Sequence, residues 1–235
     1  VSSVNPSPLE LLQHGEIEVE GRMPWSSNGT FLVNLTCAAM TGQAIYKPLR
    51  GERPLWDFEP GLHRRELAAY LLSEAMGLHL VPPTILRDGP FGEGSLQWYV
   101  DADHQQHYFT LYEQRDDLHD RLRQFAAFDV VANNTDRKSG HVLIDAHDQL
   151  WGIDHGLCFA EEFKLRTVIW EFAGESLGDE VMAAVVSVAD SVPAELAALL
   201  STDEVTAMTE RAARLAAMGV LPVDPTGRRY PWPLV

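Results

Sequence analysis

Apolar and polar positions alternate through the first part of the chain and change to helical spacing further on. Leu9–Glu20 reads as a short helix leading into a strand. Extended segments flank Asn28-Gly29, a pair that tolerates positive φ and signals a hairpin. Gln43–Pro48 reads as the next strand, followed by a loop over Arg50–Gly61 that is rich in Pro, Gly and charge. Leu67, Tyr70, Leu71 and Ala75 recur at helical spacing and predict a helix over Leu62–Met76, with Gly77 as its stop. Val81–Arg87 and Ser95–Val100 read as strands separated by turn residues. Leu118, Leu122, Phe125, Phe128 and Val131 then make the apolar face of a helix over Leu118–Asn133. Val142–Ile144 and Leu150–Ile153 are two short strands. Asp179–Met218 is Ala/Leu/Val-rich helix, broken near Pro193 and again at Ser201-Thr202-Asp203, which offers an N-cap. Pro222–Val235 is Pro-rich and irregular.

These elements predict an α+β chain in two parts. Residues 1–100 form a β-rich lobe with one helix, and residues 101–235 form a helical lobe with one small hairpin, joined by a linker near Asp101–Tyr108. A cleft between two such lobes is a natural ligand site. The length of 235 residues and the 46% hydrophobic content suit one large domain or two lobes and exclude a disordered chain. Acidic side chains outnumber basic ones 34 to 18, a formal net charge of −16. That balance argues against a nucleic-acid partner, whose phosphates call for Lys/Arg surfaces. It also argues against an anionic membrane surface. No apolar run reaches the roughly 18 residues that span a bilayer, and Val1–Glu20 shows no basic head followed by an apolar stretch. Cys37 and Cys158 read as plain thiols. The expectation is a cytoplasmic protein without a stable membrane anchor.

The densest polar segment is Asn133-Asn134-Thr135-Asp136-Arg137-Lys138-Ser139-Gly140-His141, set between an apolar helix and an apolar strand. Such a segment suits an active-site loop, and its residue types also suit an ordinary solvated turn. Asp154 directly follows another apolar strand and precedes His155-Gly156, a place from which a carboxylate can hold a hard cation against a phosphate. Lys47 ends a strand and Glu66 lies on the next helix. Kinases anchor ATP phosphates with such a pair.

In this order the segments resemble the atypical kinases of the phosphatidylinositol 3-/4-kinase superfamily, and most nearly the type II phosphatidylinositol 4-kinases. The resemblance runs from about Trp25 to Phe159. Ser26-Ser27-Asn28-Gly29-Thr30-Phe31 is similar to their phosphate-covering hairpin. Arg65–Leu72 with Gly77-Leu78 and Val81-Pro82 is similar to their helix and following strand, and Gly94–Val100 looks like their hinge strand. Asn134-Thr135-Asp136-Arg137 and Ile153-Asp154-His155-Gly156-Leu157 resemble their catalytic and metal-binding loops. The resemblance implies a two-lobed protein-kinase-like fold that uses ATP with Mg²⁺ or Mn²⁺. Asp136 would orient the acceptor hydroxyl and take its proton, and Arg137 would neutralise charge near the transferred phosphate. Lys47 would bind phosphates and Glu66 would position it. Asp154 would hold the metal. Ser26, Ser27, Asn28, Gly29 and Thr30 would donate to the phosphates, and main-chain groups at Trp98, Tyr99 and Val100 would meet the adenine edge.

His141 stands where the family has Asn as a second metal ligand. Imidazole suits Mn²⁺ better than Mg²⁺, and the departure leaves three readings: a Mn²⁺-preferring kinase, a kinase with one firmly held metal, or an impaired nucleotide-binding pseudokinase. The segment Ala160–Trp170 mixes Glu161 and Glu162 with Lys164 and Arg166, so a lipid acceptor does not follow from it. A protein, lipid or small-molecule hydroxyl stays open, and a HipA-like Ser/Thr protein kinase is the other reading.

Overall fold

The structure is a computed structural model and describes residues 7–24, 26 and 28–235. Its contacts divide the chain into two compact units, one of residues 1–67 and 82–100, the other of 68–81 and 101–235.

The first unit opens with helix α1 (Pro8–His14). Ser7 and Glu10 close a reciprocal capping box at its start, and Pro8 takes the first turn, where its missing N–H costs nothing. Five strands follow: β1 (Glu16–Arg22), β2 (Phe31–Cys37), β3 (Met40–Pro48), β4 (Thr84–Gly89) and β5 (Gly92–Trp98). They form one antiparallel sheet in the order β1-β2-β3-β5-β4. One face alternates inward through Val33, Leu35, Ala44, Tyr46 and Leu96, and Leu11 and Leu12 of α1 close over it. The β1–β2 hairpin forms, but not around a two-residue Asn28-Gly29 turn. The strands part after the Arg22–Phe31 pair, Met23 N–H still reaches Thr30 O at 2.9 Å, and Gly29 stays out of the left-handed region. The tight turn belongs to β2–β3 instead, where Cys37 faces Met40 and Ala38 takes φ 54°.

Helix α2 (Leu62–Ala75) belongs to both units. Its buried stripe is not the expected Leu67/Tyr70/Leu71/Ala75 face, which is only half-buried. The fully buried positions are Leu62, His63, Glu66, Ala68, Ala69, Leu72 and Ser73. Small alanines permit close approach, and the polar members find partners: Ser73 Oγ accepts from the amides of Leu80 and Val81 at 2.6 and 3.3 Å. Gly77, at φ 66°, ends the helix as its sequence position predicts.

The second unit contains α3 (Tyr108–Gln114), α4 (His119–Ala132), the β6–β7 hairpin (Val142–Ile144, Leu150–Gly152), α5 (Gly178–Asp190), the short α6 (Ala194–Ala197) and α7 (Thr202–Met218). The aromatic-rich α3 begins at Tyr108, where the expected linker ends, in a stretch to which the sequence pattern assigns no element. Every residue of α4 from Gln124 to Ala132 is buried, as expected of a helix at the centre of a core. The stripes Val181/Ala184/Val185/Val188 of α5 and Met208/Ala212/Leu215 of α7 close over the same core. Ser201 and Glu204 cap α7, and Gly219 at φ 67° ends it. Residues 222–235 form no helix or strand.

Candidate active site

In the first unit, β3 delivers Lys47 and α2 delivers Glu66, and their side chains form an ion pair at 2.5 Å. Glu66 is almost wholly buried, while Lys47 keeps about a fifth of its side chain exposed, enough to reach a ligand. The loop before β2 is tied to the loop after β3. Gly29 N–H donates to Gly51 O at 2.8 Å and Arg53 N–H donates to Asn28 Oδ1 at 3.0 Å. A Cβ at Gly29 would lie 2.9 Å from Gly51 Cα, and one at Gly51 would lie 2.7 Å from Gly29 O, so the crossing needs glycine on both sides. The Ser26 and Thr30 hydroxyls bond each other at 2.8 Å. Gly29's amide therefore already has a partner, and one of the two hydroxyls donates to the other, so of these expected donors the Ser26–Thr30 pair keeps one hydroxyl proton for a phosphate oxygen. Ser27 and Trp25 lie outside the described residues. On β5, Trp98 N–H donates to Pro83 O and Tyr99 N–H donates to Gln43 O. The Trp98 indole packs into the α1 core. Of the three hinge positions, that leaves the buried Val100 to offer a main-chain N–H.

A further first-unit cluster escapes sequence reading. His63 is 2% exposed, and its ring lies between two carboxylates: Nδ1 is 2.9 Å from Glu52 Oε1 and Nε2 is 3.1 Å from Glu93 Oε1. Glu52 also accepts the backbone amides of Gly61 and His63. Burial pulls the His63 pKa down, but the two carboxylates outweigh it and the net direction is up. Glu52 moves down despite its burial, because His63 and the backbone amides bond it.

In the second unit, α4 ends at Asn133 in the left-handed conformation, φ 50°. Asn133 Nδ2 donates to Ala160 O and Glu162 O, and its Oδ1 accepts Lys164 N–H, which fastens the segment after Asp154 to the end of α4. Asn134 Oδ1 accepts Asp136 N–H at 3.0 Å and so aims the following carboxylate. Asp136 is three-quarters buried, and Lys138 Nζ sits 2.7 Å from its Oδ2. Burial pushes the Asp136 pKa up, with Asp154 adding to the rise, while Lys138 and Arg166 pull it back. His141 Nε2 is 3.5 Å from Asp154 Oδ2. Asp154 takes φ 60°, which a non-glycine residue adopts at a cost, and its side chain is half exposed. Asp136, His141 and Asp154 are thus gathered within the second unit.

Arg137 does not join them. Its side chain has no exposed surface, so it cannot meet a transferred phosphate. Its guanidinium bonds both oxygens of Asp129 at 2.8–3.1 Å, His155 Nε2 at 2.8 Å, and the carbonyls of His141 and Ile153. Arg137 therefore positions His141 and the residue before Asp154. Lys138, absent from the sequence-based site, carried one signal: a basic residue two places after the candidate Asp.

Among the described residues no group of three or more His, Cys, Asp or Glu is arranged to hold a metal ion by itself. The donors fit a cation that arrives with its own phosphate oxygens, because Mg²⁺-type sites use one or two side chains plus phosphate and water. His141 Nδ1 faces Lys138 N–H at 3.4 Å, which leaves Nε2 for the Asp154 side. A cavity of about 240 Å³ elsewhere in this unit is walled by Val130, Leu215 and Met218 among others, and none of the candidate residues lines it.

The architecture is that of the kinase-like α+β fold. Hydra Fam20, solved with sugar, superposes with a TM-score of 0.56 at 12% identity, covering 89% of this chain and 86% of that one. The Helicobacter pylori proinflammatory kinase CtkA superposes at 0.52 with 11% identity, covering 88% and 93%. No protein-family sequence model matches the chain. Protein Rv2133c of Mycobacterium tuberculosis (strain ATCC 25618 / H37Rv) is 40% identical over 261 residues, spanning 95% of this chain and 94% of the relative. The chain belongs to the family of Protein Rv2133c.

Proposed function

We propose that this chain is an ATP-dependent phosphotransferase that moves the γ-phosphate to a hydroxyl acceptor. The observation that carries the reading is the Lys47–Glu66 ion pair, strand to helix, in a kinase-like fold. Lys47 binds nucleotide phosphates as a point charge, and Glu66 fixes where that charge sits. Val100 meets the adenine edge through its main chain. Asp136 orients the acceptor hydroxyl and accepts its proton. Burial, which raises its pKa, makes it a better base near neutrality than an exposed carboxylate. Lys138 holds Asp136 in place. Asp154 and His141 are the residues that would hold a divalent metal, and when bound it neutralises charge on the β- and γ-phosphates. The mixed O/N donor pair suits Mn²⁺ better than Mg²⁺.

A γ-labelled ATP assay with Mg²⁺ and Mn²⁺ in parallel tests the reading. Protein, phosphatidylinositol and sugar acceptors are its arms. Label transfer that Asp136→Ala reduces by about a hundredfold or more supports it. Absence of ATP or GTP binding with either metal, measured by calorimetry, overturns it. His141 in the place of an Asn ligand favours one second reading, an impaired pseudokinase or scaffold, which binds nucleotide with no label transfer in any arm. Transfer to phosphatidylinositol alone marks the lipid-kinase subtype, and transfer to Ser/Thr protein marks the HipA-like one.

A further inference from the structure

We infer that residues 224–235 form a brace that positions the Asp136 loop, and that its grip consists of two main-chain carbonyls, those of Leu234 and Arg229. The inference rests on the reading of that loop as catalytic. Leu234 O accepts Ser139 N–H at 2.8 Å. Ser139 opens the 3₁₀ turn Ser139–His141, directly after Asp136-Arg137-Lys138. It is fully buried, and its Oγ has no hydrogen-bond partner, so its polar anchorage depends on the main chain. Arg229 O accepts twice, from Thr167 N–H and from Trp170 Nε1–H, each at 3.1 Å. Thr167 in turn bonds Asp129 through Oγ1 and pairs with Arg137 in an isolated parallel bridge. One irregular segment thus grips both the Asp136 loop and the stretch that follows Asp154.

The segment is itself ordered by local bonds. Asp224 accepts from the amide and hydroxyl of Thr226 and from Arg229 N–H, closing a turn. Pro231 is buried, and the Arg229 guanidinium lies 4.8 Å from the Phe163 ring centre. Val235 and Trp232 are largely exposed, so the last residues are not held by apolar burial. A buried N–H without an acceptor is costly. Without Leu234 O, Ser139 must move to find one. That shift carries Lys138, bonded to Asp136, on one side and His141, facing Asp154, on the other. Misplacement of catalytic groups by about 1 Å can cost about a hundredfold in rate.

Two shortened chains test the brace, one ending at Pro233 and one ending at Arg228. Amide hydrogen exchange is followed over 133–141 and 163–170, alongside ATP turnover with Mn²⁺. Ending at Pro233 removes Leu234 and leaves Arg229 O in place. Exchange at Ser139 should then accelerate about tenfold or more while 163–170 stays protected. In the same variant kcat should fall about tenfold or more, with KM for ATP changed by less than about twofold. Ending at Arg228 should release both stretches. If that chain does not fold, the Pro233 variant decides alone. Unchanged exchange at Ser139 overturns the brace, and faster exchange with unchanged kcat overturns its positioning role. If the full chain turns over no ATP, the kinase reading falls, while Ser139 exchange still judges the brace.

Discussion

Asp129 has no exposed surface, yet Arg137, Asn134 and Thr167 all bond its carboxylate. Two of these partners flank Asp136 in sequence, and the third lies in the stretch after Asp154, so one buried charge fixes the geometry of the whole second-unit cluster. Removing one member of a buried pair leaves the other charge uncompensated. Asp129→Ala should therefore destabilise the protein by about 3–5 kcal/mol, read from urea unfolding. Arg137→Met leaves the smaller carboxylate with its Asn134 and Thr167 bonds and should cost less. Equal losses from the two would mean that the pair, rather than the network around Asp129, sets the loop. A second residue-scale outcome concerns His141. Replacing its imidazole by an amide oxygen, His141→Asn, gives an all-oxygen donor pair and should shift metal-dependent ATP binding toward Mg²⁺. Calorimetry with Mg²⁺ and Mn²⁺ in parallel reads this as a change in the ratio of the two affinities.

At the scale of elements, the loop between β3 and α2 is held by the buried His63 between Glu52 and Glu93, with Arg64 3.8 Å from Glu93. The same loop carries Gly51, which receives Gly29 N–H. The folded-state pKa of His63 is raised, so its contribution to stability is full below the ordinary imidazole value. It is lost as pH rises through the raised folded value. Tm should fall on going from about pH 6 to about pH 9, by about 2–4 °C for each kcal/mol lost. His63→Gln should flatten that slope. An unchanged slope in the variant would show that the carboxylates do not hold the ring charged.

The pattern reading succeeds where local chemistry decides. The apolar period of α4, the Ser201 cap of α7, the Gly77 stop of α2 and the β6–β7 hairpin are all legible, as is the order of motifs that sets Lys47 beside Glu66. It fails where the deciding partner is remote in sequence. Glu52 and Glu93 are not visible from His63, nor is Arg137's burial from a polar loop of turn-forming residues. The buried face of α2 is rotated because Glu66 and Ser73 go inside with partners on other segments, which an apolar count cannot register.

For the whole molecule, the chain leaves its first unit at residue 68, builds part of the second, returns at residue 82 and leaves again at 101. Residues 68–81 supply Ala68, Ala69, Leu72, Met76, Leu78, Leu80 and Val81 to the second unit's core. Arg121 bonds the carbonyls of Leu78 and His79, and Gly152 N–H bonds Leu80 O at 2.7 Å. Burying a large aliphatic side chain stabilises by about 1.5–3 kcal/mol, and a domain's net stability is only about 5–15 kcal/mol. Losing the four large side chains of this stretch, Leu72, Met76, Leu78 and Leu80, would consume most of that margin. A fragment of residues 101–235 should therefore remain compact but loosely packed, with retained far-UV and weakened near-UV circular dichroism and with dye binding to exposed apolar surface. These residues carry most of the chain's acidic excess, which keeps such a fragment in solution. Adding a peptide of residues 62–81 should restore the near-UV signal in a concentration-dependent way. Cooperative unfolding of 101–235 alone, with a full near-UV signal and no response to the peptide, would show that the second unit does not need the stretch it takes from the first half of the chain.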